Sequence, residues 1–202
     1  MKKRIYLLAG ALCIIMQLVS SCTNFLEVEE KGKTTIPSFL SDPDGLNAGL
    51  VGAYNKMYAY YDNEFTKYPD VAGNMLSMKY VSAGADMLDQ YNFTSDALQE
   101  TGAVGYIWRK IYEALANVNN VIQYQPQVIS AYPNAKDMCQ RILGEALFFR
   151  ALCHFDLCRV YAQPYNYTSD ASHLGVPILL KTPGPDDNVS RESVKKVYLQ
   201  IL

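Results

Sequence analysis

Apolar residues recur at spacings of three and four in several stretches of the chain, and each such stretch reads as an amphipathic helix. The first opens at Ser41 or Asp42, either of which can cap a helix, with Pro43 and Asp44 in the first turn. Leu46, Leu50, Ala53, Tyr54, Met57, Tyr58 and Tyr61 then follow along one side. Between Asp62 and about Gly105 the periodicity fades among Gly, Asn, Asp, Tyr and Met residues, which predicts a long elaborated loop with short helical turns. Loops of that length usually carry function. From Tyr106 to about Tyr124 the helical spacing returns, with Ile107, Ile111, Leu115, Val118 and Ile122 on one face and Trp108, Tyr112 and Val121 widening it. Pro126 and Pro133 are expected to flank the connection to the next helix. That helix, Leu143 to Tyr165 with a lead-in from about Ala135, is apolar almost all round and should be covered by neighbours on several sides. Gln163 before Pro164 disfavours its continuation. Tyr165 to Val189 reads as loop, and Ser190 caps a last pattern through Val194, Val197, Tyr198 and Ile201. The pattern reaches Leu202 without a closing signal, so the natural polypeptide is expected to continue or the reading frame to be truncated.

The amino terminus follows a different logic. Lys2, Lys3 and Arg4 precede an apolar run from Ile5 to Val19 and the small residues Ser20 and Ser21, the signature of a signal peptide over residues 1–21. The run falls short of the roughly 20 residues that a spanning helix needs. Val19-Ser20-Ser21-Cys22 resembles the bacterial lipobox, a likeness that makes Cys22 the lipidated mature amino terminus. A polar tether over residues 22–40 is expected to lead into a helical domain over 41–202. Loss of the signal removes three of the 18 basic residues and leaves 15 against 20 acidic ones, a balance of −5 that argues against nucleic acid as a partner. Of five cysteines, Cys13 leaves with the signal and Cys22 takes the lipid. Cys139, Cys153 and Cys158 cannot all pair, and they lie within one apolar helical pattern, so they read as free core residues.

Several segments, in order, carry a family resemblance. They are Cys22 followed by Phe25-Leu26, the helix around GLVGAYNKMY, the Trp108…Ile111-Tyr112…Asn117…Asn120 helix, GEALFFRALCHFDLCRVYAQPY with GVPILL after it, and VSRESVKKVYLQI. Together they resemble the amino-terminal part of a SusD/RagB-type outer-membrane lipoprotein of the Bacteroidetes, with the GEA-x-F-x-RA core as the specific element. The resemblance implies an all-α, tetratricopeptide-like helical-repeat scaffold with long irregular loops. It also implies a non-catalytic, lipid-anchored protein on the exterior of the outer membrane, passing an oligosaccharide or other nutrient to a SusC-like TonB-dependent transporter. The alternative is a scaffold lipoprotein whose helical repeats bind only protein partners.

The residues themselves argue against catalysis, a metal or another cofactor. Glu145 and Arg150 lie about 140° apart around a helix, so they do not converge on one atom and are expected to satisfy groups of neighbouring helices. His154 and Cys158 are four apart, yet two ligands do not make a metal site, and His173 lies in a distant loop. No motif surrounds either histidine that would make it a base for a nucleophile. Asp86 with Asp89, and Asp186 with Asp187, read as solvated turn residues rather than as a glycosidase pair. Tyrosine usage points elsewhere: 16 Tyr against 7 Phe and 1 Trp. A tyrosine ring has an apolar face and a polar tip, which suits a sugar with one apolar face and a rim of hydroxyls. Tyr80, Asp86, Gln90, Tyr91 and Asn92 in the long loop combine such rings with amide and carboxylate groups and are the candidate ligand-binding residues. Tyr54, Tyr58, Tyr61, Trp108 and Tyr112 are expected to pack between helices instead. Asn-x-Ser/Thr sequons at Asn92, Asn166 and Asn188 read as chance matches beside a bacterial anchor.

Overall fold

The computed structural model describes residues 34–62, 64–77, 87–94 and 102–202. The signal peptide, Cys22 and most of the expected tether therefore lie outside the described residues, and Ile36–Leu202 forms one compact unit. That unit begins with a single helical turn, α1 (Ile36–Phe39), followed by Leu40, which is buried in the main core.

The helix α2 (Pro43–Tyr61) starts where its cap residues dictate. Asp42 is extended, at φ −138° and ψ 170°, and its carboxylate accepts the Gly45 N–H at 2.7 Å, while Pro43 takes the first helical position. Gly45 is required here, because a Cβ would lie 2.0 Å from the Phe39 carbonyl oxygen. Leu46, Leu50, Ala53 and Tyr60 are buried. The expected stripe is thus displaced at its end. Tyr58 is 65% exposed, whereas its neighbour Tyr60 is fully buried, because the carboxyl-terminal half of the helix turns Tyr60 and Tyr61 toward a polar partner described below. Tyr54, Tyr61, Trp108 and Tyr112 do pack against the core.

Where a long loop with short helical turns is expected, the described residues carry the helices α3 (Glu64–Ala72) and α4 (Leu88–Asn92). The first was hidden from periodicity by its shortness and by Pro69 within it, a residue that normally ends a helix. It holds because Phe65 and Val71 bury themselves, Phe65 in an aromatic cluster with Tyr60 and Tyr61 at centroid separations of 5.5 and 4.9 Å.

The long helix α5 (Ala103–Ala131) starts earlier and ends later than its spacing predicts, and it runs through Pro126. That proline was expected to flank the connection. It is tolerated because it faces solvent, where the freed carbonyl one turn earlier can be hydrated. On the opposite side Gln125 is buried and donates its amide to the Cys139 carbonyl at 3.3 Å, while Val128 continues the core. A short 3-10 turn at Pro133–Ala135 reverses the chain into α6 (Lys136–Tyr161), so that α5 and α6 form a helical hairpin. α2 packs on both members of that hairpin and α7 (Val194–Ile201) packs on α6. The helix α7 is capped by Ser193, whose hydroxyl accepts the Lys196 N–H, rather than by Ser190.

Helix faces account for the core. Ile107, Ile111, Leu115 and Val118 of α5 meet Leu46, Leu50 and Ala53 of α2 and Ile142, Phe149 and Leu157 of α6. Gly49 lets α2 and α5 approach, since a Cβ there would sit 3.0 Å from Val121. The three cysteines Cys139, Cys153 and Cys158 are free and buried. α6 is covered less completely than its composition predicts: Phe148 is 69% and Leu147 41% exposed.

Candidate functional site

Only part of the candidate ligand-binding set falls within the described residues. Tyr80 and Asp86 lie outside them, while Gln90, Tyr91 and Asn92 occupy three consecutive positions of α4. Successive helical residues point about 100° apart, so these side chains cannot share one face. Gln90 is turned inward and is 8% exposed, Tyr91 leans on the small cluster of Val71, Met87 and Ala103, and Asn92 faces solvent. Met87 and Phe93, at the two ends of the helix, both adopt left-handed backbone conformations with φ of 59° and 55°. Such conformations are uncommon for side chains larger than Asn or Asp and mark a tightly turned segment. The Phe93 turn leaves its ring 77% exposed beside Asn92, a surface aromatic that spacing alone did not single out. Asp89 is occupied locally: its carboxylate accepts the Thr94 hydroxyl at 3.3 Å and its carbonyl the Thr94 N–H at 2.8 Å.

Among the described residues, Asp156, Glu145 and Asp187 hold the scaffold. Asp156 is fully buried on α6 and accepts hydrogen bonds from Tyr60 at 3.1 Å, Tyr61 at 2.7 Å and the Arg159 guanidinium at 2.6 Å. Burial, reinforced by this carboxylate, pushes both phenols far above their ordinary range, so they remain donors at every physiological pH. Glu145 accepts from Tyr54 of α2 and from Arg141 one turn before it on α6, which is the structural role expected of it. Arg150 is half-buried, and burial lowers its pKa. Asp187 caps its own turn by accepting the Gly184 N–H at 2.9 Å.

Both histidines are fixed at both ring nitrogens. His154 is fully buried; its Nε2 accepts the Leu179 N–H at 3.2 Å, which requires Nδ1 to carry the proton and donate it to the Arg150 carbonyl at 2.9 Å. Burial lowers its pKa against the opposing pull of that carbonyl. Burial also raises the thiols of Cys139, Cys153 and Cys158, which keeps them protonated and weakly nucleophilic.

His154 is one of several side chains that hold the backbone around Pro177 and Leu179, just after the antiparallel bridge of Leu174 with Ser193. Tyr112 donates to the Pro177 carbonyl at 3.1 Å and Asn119 to the Leu179 carbonyl at 2.9 Å, while the single Thr182 hydroxyl proton is shared between Asn120 Oδ1 at 2.9 Å and the Ala116 carbonyl at 3.2 Å. Both backbone groups of Leu179 are thereby satisfied by side chains of two different helices. The matching positions are Tyr112, Asn120 and His154 of the resemblance segments, followed by Gly175 to Leu180. These positions, together with Asn119, form a clamp on the backbone after α6.

Comparison with known proteins places this architecture. The sequence profile of a SusD-like family described as starch-binding and associating with the outer membrane matches residues 24–202. A SusD-like protein of Formosa agariphila is 24% identical over 149 residues, which cover 73% of this chain and 27% of that protein. The crystal structure of a SusD superfamily protein from Bacteroides thetaiotaomicron superposes with a TM-score of 0.68 at 24% identity, covering 79% of this chain and 35% of the other. A second, from Bacteroides fragilis, gives 0.58 at 23% identity, covering 81% and 38%. The chain spans 27% to 38% of the length of these relatives. The structural likeness shows the fold, tetratricopeptide-like and helical, and the profile match extends over almost everything after Cys22. On those grounds the chain belongs to the SusD-like family.

Proposed function

We propose that this protein is a non-catalytic, lipid-anchored nutrient-binding protein of the outer-membrane exterior that hands an oligosaccharide to a SusC-like TonB-dependent transporter. The observation that carries the reading is the match of residues 24–202 to a family described as starch-binding and associating with the outer membrane. Anchorage through Cys22 is supported by Val19-Ser20-Ser21 before it and the basic and apolar run before those. The non-catalytic part is supported by where the reactive groups sit: both histidines hold backbone or hydroxyl groups, and the three cysteines are buried. A tether over the transporter raises the local concentration of captured ligand at its mouth. Binding is proposed for the segment that carries Tyr80, Asp86, Gln90, Tyr91 and Asn92, with Asn92 reaching outward and the buried Gln90 orienting the short helix from within rather than touching ligand.

A second reading, a scaffold that binds only protein, is favoured by the exposed Leu147 and Phe148 on α6. Affinity electrophoresis of the detergent-purified full chain through gels containing amylopectin, xylan, galactan, mannan or levan separates the two. Glycan capture predicts retardation by at least one polymer. Replacing Asn92 by Ala, a surface change that should leave unfolding untouched, then relieves it by roughly two- to tenfold in apparent affinity. Normal mobility of the folded chain in every gel favours the scaffold.

A further inference from the structure

The loop between α6 and α7 carries two tyrosines that the packing leaves largely open. Tyr165 is 47% and Tyr167 64% exposed. A single exposed ring calls for no explanation, but here two stand two residues apart on a backbone that is tied down around them.

The backbone is fixed at close intervals. The Tyr167 N–H donates to the Pro164 carbonyl at 2.9 Å, and the Ser172 N–H donates to the Thr168 hydroxyl and the Asp170 carboxylate, each at 3.1 Å. Ala171 is buried with φ 54°, an unusual conformation for a residue with a Cβ, and its carbonyl accepts the Lys195 N–H at 2.9 Å from the first turn of α7. The His173 carbonyl accepts the next tie, from Val194, at 2.9 Å.

Each ring is braced by one perpendicular neighbour. Tyr165 meets Tyr198 of α7 at a centroid distance of 4.8 Å and 62°. Tyr167 meets His173 at 5.3 Å and 70°. The imidazole is itself immobilised, donating from Nε2 to the Gln163 carbonyl at 3.2 Å and accepting the Thr168 hydroxyl on Nδ1 at 2.9 Å. Around the rings, Asn166, Ser169 and Asp170 are exposed.

We propose that Tyr165 and Tyr167 form a second carbohydrate-binding platform, distinct from α4, on which the apolar faces of sugar units rest while Asn166 and Ser169 meet their hydroxyls. Rigid aromatic rings lose little entropy on binding, and their polar tips tolerate the wet rim of a sugar. The platform rests on the glycan-capture reading, and its ligand is an oligosaccharide long enough to cover both rings.

The test uses the detergent-purified full chain and whichever of the five polymers retards it most. Tyr167→Ala should weaken binding by about 5- to 10-fold with an unchanged unfolding midpoint, and Tyr165→Ala by a similar factor. Tyr167→Phe, which keeps the ring, should bind nearly as the native protein does. Native affinity in Tyr167→Ala, while Asn92→Ala still weakens binding, overturns the platform and leaves glycan capture standing. Absence of binding by the native protein to all five polymers overturns both. Should Tyr165→Ala fail to fold, the largely solvated Tyr167 decides the matter alone.

Discussion

Asp156→Ala is expected to be the most damaging single truncation in the domain, costing about 3–5 kcal/mol in urea unfolding. The carboxylate is fully buried, yet three donors from two helices converge on it: Tyr60 and Tyr61 of α2 and Arg159 of its own helix. Removing it leaves the Tyr60 hydroxyl in the core without an acceptor, at about 1–3 kcal/mol, and forfeits charge-assisted hydrogen bonds worth about as much again. Arg159 is 47% exposed at its side chain and can return to water, so its charge is not stranded. Asp156→Asn keeps the volume and one acceptor oxygen and should cost distinctly less, about 1–2 kcal/mol. Equal losses in the two variants would mean that the α2–α6 contact depends on charge rather than on acceptor geometry.

His154→Ala should come second, at about 2–4 kcal/mol, because it opens a cavity and leaves the Leu179 N–H without a partner. The same residue gives the domain a pH dependence with a definite sign. The fold lowers its pKa below the ordinary 6.5, so the unfolded chain binds the proton more readily. Its contribution is fully present above about pH 6.5 and is lost as pH falls toward the lowered folded value. Unfolding free energy measured from pH 7.5 down to about 5.5 should therefore decline, before most carboxylates titrate. In His154→Gln, whose amide can still accept the Leu179 N–H, the decline should flatten. An unchanged slope in that variant would place the titrating group elsewhere.

How much of this was legible from the residues follows from which forces were local. The start of α2 was readable because Asp42, Pro43 and Gly45 act on their own turn. The core faces of α5 and α6 were readable because a helix must bury its apolar stripe. What escaped was set by contacts distant in sequence. Tyr60 and Tyr58 exchange places because Asp156 lies 96 positions after Tyr60. α5 continues through Pro126 because its other face is held by Cys139 and the α6 surface. α3 exists because Phe65 reaches an aromatic cluster that its own segment does not announce. Of the proposed binding segment, the sequence supplies the residue types but not their directions. It could not say that Gln90 points inward while Phe93 stands exposed, since that depends on two left-handed turns enclosing a helix of five residues.

The central claim is that the chain works at the outer membrane beside a transporter, and the most direct measurement is recovery of the tagged native protein from solubilised outer membranes followed by mass spectrometry. The account predicts an amino-terminal peptide beginning at an acylated Cys22 and a TonB-dependent barrel in the same complex. Recovery instead from the soluble periplasmic fraction, with Cys22 unmodified and no barrel attached, would contradict it.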